Sequence, residues 1–315
     1  MIVAITGGTG FIGRELVLRH LAQADVVRGL SRSTAVRDGV QWHHGDLSSA
    51  DLNSFVDGAD VLYHCAGEIR DESLMKVVHV DGTRRLIEAA NGRIGRLVQL
   101  SSVGAYGKQR LGVVTEETAP CPDGTYEVTK VESDDMVSSA ALEGAFEQSI
   151  LRPSNVYGPE MSNQSLFGLF NMVNRGRYFS IGEPGASANY IHVDNVVDAL
   201  VLCGIHPRAK GEIYNLSDYR PLEQFIAVIA SVLGRSTPSL RLPEWSVRLP
   251  ARLMGNLPGF PLTESRVGAL TGRVIYSTEK IEQQLDYQHR VSMEAGLEEL
   301  VRSWQQRVGE HGDSK

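Results

Sequence analysis

An α/β fold, a doubly wound parallel sheet with a smaller, mainly helical C-terminal lobe, is what this sequence predicts. Three observations carry it. Apolar runs of strand length alternate with segments of helical period through the first half, a glycine-rich turn joins the first such pair, and beyond about Pro159 the rhythm gives way to glycine, proline and helical stretches.

In order, residues 2–6, 26–30, 40–43, 61–65, 97–101 and 149–152 read as strands, and their nearly unbroken apolar character suits a sheet covered on both faces. Residues 11–21, 74–90 and 126–142 carry apolar side chains at helical spacing, so the connections are crossovers and the strands run parallel. After Gly176, Gly182, Pro184 and Gly185, a strand and helix around 190–202 return to the sheet. Residues 222–233, 247–254 and 293–308 read as helices of the smaller lobe, and the polar tail 309–315 as frayed. Residues 1–160, joined by about 188–216, form a dinucleotide-binding domain; 161–187 and 217–315 form the substrate-binding lobe.

An apolar fraction of 42% and a charged fraction of 22% exclude disordered and fibrous classes. A net charge of −7 leaves no basic surface for nucleic acid. Cys65, Cys121 and Cys203 lie far apart without CxxC spacing, so neither a disulfide framework nor a metal site is indicated, and a reducing compartment fits. The opening run is too short for a signal peptide and later apolar runs are too short to cross a membrane, so the expectation is a cytoplasmic protein acting on a small molecule.

Gly7-Gly8-Thr9-Gly10-Phe11-Ile12-Gly13 follows the first strand directly and opens a helix, the setting of a Rossmann-type dinucleotide site. Gly7 permits the tight turn, Gly10 lets backbone approach a pyrophosphate, and Gly13 lets helix pack on strand. The helix N-terminus offers amides to the phosphates. The second strand ends Gly29-Leu30-Ser31-Arg32-Ser33, with no carboxylate for the ribose hydroxyls of NAD and with Arg32 able to pair a 2′-phosphate. NADP is therefore the preferred cofactor and NAD the possible one.

Ser102 lies just past the fifth strand, and Tyr126 and Lys130 stand at i and i+4 on the helix that follows. An ammonium beside a phenol favours phenolate, bringing the tyrosine toward working pH as an acid or base. Ser102 can bond the same substrate oxygen.

These residues, with Gly45-Asp46-Leu47, Val61-Leu-Tyr-His-Cys-Ala-Gly67, Gly82-Thr83, Leu100-Ser-Ser-Val-Gly-Ala-Tyr-Gly107, Leu151-Arg-Pro-Ser-Asn-Val-Tyr-Gly-Pro159 and Tyr190-Ile-His-Val-Asp194, resemble the extended short-chain dehydrogenase/reductase family over nearly the whole chain. The resemblance implies that Asp46 and Leu47 contact adenine and that Cys65, Ala66 and Gly67 line the cofactor. It further implies that Lys130 holds the nicotinamide ribose, Tyr126 moves the proton, and Pro153, Asn155 and Val156 approach the nicotinamide. A homodimer through helices 74–90 and 126–142 is implied as well.

The sequence also departs from that pattern. His79 stands where the family commonly has asparagine, and packing or structural bonding is the reading favoured over proton relay. Val103-Gly104 after Ser102, in place of an acidic pair, disfavours a 4,6-dehydratase. Ala188 and Asn189 replace an Arg-Asp pair that meets diphosphate in many epimerases, leaving Arg175, Arg177 or Arg266 as substitutes. His64, His192 and Cys65 read as structural. The expected activity is hydride transfer at a secondary alcohol or keto carbon of a nucleotide sugar, by a 4-keto reductase or epimerase. The alternatives are a hydroxysteroid-like or dihydroflavonol-like substrate, or a catalytically silent cofactor-binding sensor.

Overall fold

The computed structural model describes residues 1–33, 38–161, 165–254 and 263–312. The first half builds β1 (Ile2–Thr6), α1 (Phe11–Ala22), β2 (Val26–Ser31), β3 (Val40–His44), α2 (Leu52–Val56), β4 (Val61–His64), α3 (Glu72–Lys76), α4 (Gly82–Ala90), β5 (Arg96–Leu100), β6 (Leu111–Val114), α5 (Thr125–Leu142), β7 (Glu147–Pro153) and β8 (Asn155–Tyr157). The second half adds α6 (Ser165–Asn174), β9 (Ser180–Ile181), β10 (Ser187–His192), α7 (Val193–Ile205), β11 (Ile213–Leu216), β12 (Asp218–Pro221) and α8 (Leu222–Val232). It closes with β13 (Arg241–Leu242), α9 (Glu244–Met254), α10 (Glu264–Thr271), β14 (Arg273–Tyr276), α11 (Glu279–Leu285) and α12 (Met293–Gly312).

The central sheet has the order β11-β7-β5-β4-β1-β2-β3 with every pairing parallel. It is a Rossmann-type doubly wound sheet. On one face Leu16 and Val17 of α1 pack with Val196, Leu200 and Cys203 of α7. Phe55, Leu86 and Val137, from α2, α4 and α5, close the other. Each such fully buried side chain contributes about 1.5–3 kcal/mol, and burial on both faces explains why these strands lack alternation. Strand order reverses between β1 and β4, which opens a crevice at their carboxyl ends.

The strand around Tyr190 differs from expectation. β10 lies outside the central sheet, parallel to β8 and antiparallel to β12, because the chain leaves the sheet at Ser154 and β8 recruits β10 beside it. The central sheet is instead extended by β11, which pairs with β7. A helix expected over 74–90 is interrupted by a π turn, Val77–Asp81, between α3 and α4. The helical C-terminal part rests on a cluster of Phe170, Phe225, Ile229, Leu297 and Leu300 from α6, α8 and α12. α12 continues to Gly312, past the start of the tail expected to fray, and residues 313–315 lie outside the described residues.

Candidate active site

The glycine loop sits at the strand-order reversal. Gly7 takes φ +68°, and Gly10 donates its N–H to the Gly7 carbonyl at 2.9 Å before starting α1. A Cβ on Gly7 would stand 2.7 Å from Ala66 N, so the loops after β1 and β4 touch. On Gly13 it would stand 2.1 Å from the Gly7 oxygen, whereas on Gly10 it would meet only that oxygen, at 3.2 Å. Gly13 therefore seats the helix, while Thr9 and Gly10 are exposed and Phe11 and Ile12 partly so. The first turn of α1 contains no acid, and no side chain among the described residues caps it. Its orphan amides thus fit a pyrophosphate.

Around this loop the other expected cofactor residues are placed as follows. Arg32 is exposed at the end of β2. Asp25, at the opposite end, is held by the Met1 amino group at 2.9 Å and His20 at 2.8 Å. Asp46 gives one oxygen to its own turn, taking the N–H and hydroxyl of both Ser48 and Ser49, which pull its pKa down to about 2. Leu47 is buried against Gly82 at the start of α4. Burial pushes the Cys65 thiol up to about 12, so it behaves as a small apolar residue. Pro153 is buried at the end of β7, with Asn155 and Val156 following in β8.

Ser102 and Tyr126 face one cleft of about 910 Å³, together with Asn155. The two neighbouring serines have different partners. Ser101 Oγ is buried and donates to Asp134 at 2.6 Å, whereas Ser102 Oγ accepts the Gly104 N–H at 3.0 Å and lines the cleft. Lys130 is buried behind Tyr126, its Nζ donating to the Leu100 carbonyl at 2.6 Å. One turn further, Asp134 meets Arg152 at 3.1 Å.

Burial acts on the phenol in the opposite sense to the neighbouring ammonium. Burial, reinforced by the carboxylates of Glu127 and Asp134, pushes Tyr126 up to about 12. Burial also lowers Lys130, against the pull of Asp134. Desolvation thus favours the neutral phenol, which can donate a hydrogen bond into the cleft.

His64 is structural. Its Nε2 lies 2.8 Å from Thr83 Oγ1, which donates to the His79 carbonyl, so the imidazole must donate there and accept from Thr6 Oγ1 at 2.7 Å on the other side. Burial takes its pKa to about 3. His192 caps α7, accepting the Asp194 N–H.

Ser187 carries no signal in the sequence, and it joins Ser154 and Asn189 at the cleft. Ser154 Oγ, Ser187 Oγ and Asn189 Oδ1 are buried without a hydrogen-bond partner among the described residues, and all three residues line the cleft. The Asn189 amide nitrogen donates to the Val274 carbonyl at 2.9 Å, fixing the free oxygen as an acceptor. The cations at the cleft are Lys108, paired with Asp123 at 2.6 Å, and exposed Arg110. Arg175 and Arg177 line a different cleft, with Arg235. Arg266 stands on α10, whose Glu264, Gly268, Ala269 and Leu270 wall the catalytic cleft.

A doubly wound sheet with this glycine loop and a Ser-Tyr-Lys set at its crevice defines a nicotinamide-dinucleotide-dependent enzyme, an oxidoreductase or epimerase. The chain belongs to the NAD dependent epimerase/dehydratase family, whose model matches residues 3–217, and is an extended short-chain dehydrogenase/reductase. It is 24% identical to a UDP-glucose 4-epimerase of Vibrio cholerae over 96% of this chain and 95% of that one. It is 31% identical to sterol demethylase protein B of Methylococcus capsulatus over 77% and 78%. UDP-glucuronic acid 4-epimerase of Bacillus cereus, in complex with NAD, shares the fold with a TM-score of 0.77 at 20% identity, covering 98% of each chain.

Proposed function

We propose that this enzyme is a 4-keto reductase or epimerase of a nucleotide-linked sugar, with NADP preferred and NAD accepted. The observation that carries the reading is the polar lining of the cleft beside Ser102 and Tyr126, to which Gln109, Arg110, Asn155, Ser187 and Asn189 belong. Several hydrogen-bonding side chains around one cleft suit a polyhydroxylated substrate, whose orientation they would fix. Arg110 is the cation suited to a diphosphate, in place of the arginine absent at Ala188.

The nicotinamide supplies or takes the hydride. In this reading Gly7, Thr9, Gly10, Phe11, Ile12 and Gly13 hold the pyrophosphate, and Asp46, Leu47, Cys65, Ala66 and Gly67 flank the adenosine and nicotinamide ends. Arg32 meets the 2′-phosphate, Lys130 the nicotinamide ribose, and Pro153, Asn155 and Val156 the nicotinamide. Tyr126 hands its proton to the substrate oxygen, with Ser102 bonding the same oxygen. Residues 1–160 with 188–216 serve the cofactor and the rest the substrate. Exposed Leu74, Val77 and Val128 on α3, the π turn and α5 suit a homodimer, and cytoplasm is the proposed location. Light scattering tests the dimer.

A second reading, a sterol-like or dihydroflavonol-like substrate, draws on Tyr190, Leu222, Leu270, Val274 and Tyr276 in the cleft wall and on the relative named for sterol demethylation. A screen of UDP-4-keto sugars, UDP-glucose and sterol-like ketones against NADPH and NADH, followed by nicotinamide absorbance, separates the two. The expected result is turnover of a UDP-sugar, lost in Tyr126→Phe, with NADPH favoured in wild type but not in Arg32→Ala. Turnover of sterol-like ketones alone would establish the second reading, and cofactor binding without any turnover would establish a silent sensor.

A further inference from the structure

We propose that His79 is a positioning residue that ties the loop after β4 to the first turn of the catalytic helix α5, so that one imidazole sets both cofactor seating and the placement of Tyr126. It rests on the reading of Tyr126 as the proton donor. The π turn Val77–Asp81 carries His79 inward, where it is 1% exposed.

Both ring nitrogens have assigned work. Nε2 lies 2.9 Å from the Glu68 N–H, and since a backbone amide can only donate, this nitrogen carries no proton. The proton is therefore on Nδ1, which lies 2.8 Å from Thr129 Oγ1. That hydroxyl in turn donates to the Thr125 carbonyl at 2.8 Å. The path from loop to helix is thus Glu68, His79, Thr129, Thr125, with each donor and acceptor defined. Burial, aided by the nearby Lys130 ammonium, holds the imidazole pKa down to about 4, so this tautomer is the neutral ring present at pH 7.

Each end of the path reaches a working part of the site. At one end, the open side of Gly67 faces Nε2, 3.4 Å from where a Cβ would stand, and the Glu68 carboxylate gathers the N–H groups of Ile69, Arg70 and Asp71. Fixing the Glu68 amide therefore fixes where the cofactor-lining loop ends and α3 begins. At the other end, the imidazole meets the Tyr126 ring edge-on, centroids 5.5 Å apart and planes at 82°. An asparagine here could not span both ends, because its side chain is one bond length short of Nε2.

That difference in reach supplies the test. His79→Asn puts an amide nitrogen near the position of Nδ1 and keeps Thr129 but loses Glu68; His79→Gln puts an oxygen near Nε2 and keeps Glu68 but loses Thr129. NADPH affinity is read by fluorescence titration, and kcat with the substrate identified in the screen. For His79→Asn the NADPH Kd rises about tenfold, the worth of one lost hydrogen bond, while kcat falls less than in His79→Gln because the Thr129 bond is kept and only the edge contact with Tyr126 is lost at that end. For His79→Gln the Kd holds within about twofold and kcat falls about tenfold. If both variants moved Kd alike, or moved only the melting temperature, His79 would be packing and the proposal would be overturned. Tyr126→Phe separates this from the parent reading: retained turnover there removes the proton donor but leaves the predicted Kd split to stand or fall by itself.

Discussion

Ser101 Oγ donates to the Asp134 carboxylate at 2.6 Å, and this one bond leaves Ser102 as the serine that faces the cleft. Asp134 is 1% exposed and also receives Nε of Arg152 at 3.3 Å, so Ser101 belongs to a buried ionic network. Arg152 continues it to Tyr106 and Asn215. Ser101→Ala should cost about 1–3 kcal/mol of stability in urea unfolding, because a buried carboxylate loses a donor, while leaving kcat close to wild type. Ser102→Ala loses the bond from the Gly104 N–H and should cost about 0.5–2 kcal/mol, but it should also lower kcat about a hundredfold, the usual consequence of removing one donor to a reacting oxygen. The opposite pattern would assign the chemistry to Ser101.

The glycine loop separates packing from binding in the same way. Gly13→Ala forces a carbon to 2.1 Å from the Gly7 oxygen and should destabilise the fold by about 1–3 kcal/mol, as overpacking does. Gly10→Ala meets one atom at 3.2 Å and should fold normally while weakening NADPH binding at least about tenfold, because its methyl group would stand where the proposed site brings the pyrophosphate closest. Thermal unfolding and fluorescence titration check the pair. Normal cofactor affinity in Gly10→Ala would move the phosphate site elsewhere.

How much of this was legible in the chain follows from the range of the forces involved. Gly7, Gly13, Tyr126 and Lys130 are local: a positive φ, a close approach and a helical period leave their mark within a few residues. The parallel strands are local too, since burial on both faces makes them apolar throughout. Ser187 carries no such mark, because the cleft is assembled from the junction of β7 and β8 and from β10, which pairs with β8 in a sheet the sequence does not announce. The π turn at His79 was hidden for a related reason: an extra backbone residue per turn leaves helical periodicity almost intact. Around Tyr126, spacing reveals Lys130 but not the burial that favours the neutral phenol.

Acid should weaken the fold before the carboxylates titrate. His64 and His79 are held at about 3 and about 4 by burial, and His20, His43 and His192 are lowered as well. In the unfolded chain each titrates near 6.5. Above that value both states are neutral and the stability is fully present; below it the unfolded chain takes up protons first, so stability falls as pH drops toward the folded values. Glu116, Asp134 and Asp218, raised by burial, act in the opposite sense, but they are three groups against five lowered imidazoles. The urea midpoint should therefore drop between about pH 7.5 and about pH 5. An unchanged midpoint would show that the buried imidazoles do not govern acid sensitivity.

The phenol of Tyr126, pushed up to about 12, makes the two reaction directions respond differently to pH. In the proposed reduction Tyr126 would give its proton to the substrate oxygen, and because the protonated form dominates well past neutrality, kcat/KM should stay level from about pH 7 to about pH 10. In oxidation Tyr126 must accept a proton, so kcat/KM should climb with pH as the phenolate fraction grows. Glu127 is the nearer of the two carboxylates in sequence and, after burial, the larger influence holding the phenol protonated. Glu127→Gln removes that negative charge, lowers the Tyr126 pKa and shifts the oxidative limb to lower pH, while leaving the reductive plateau in place at pH 7. A wild-type oxidative limb centred near neutral pH would mean that the Lys130 ammonium outweighs desolvation in the free enzyme, and that the local spacing on α5 describes the acid better than its burial does.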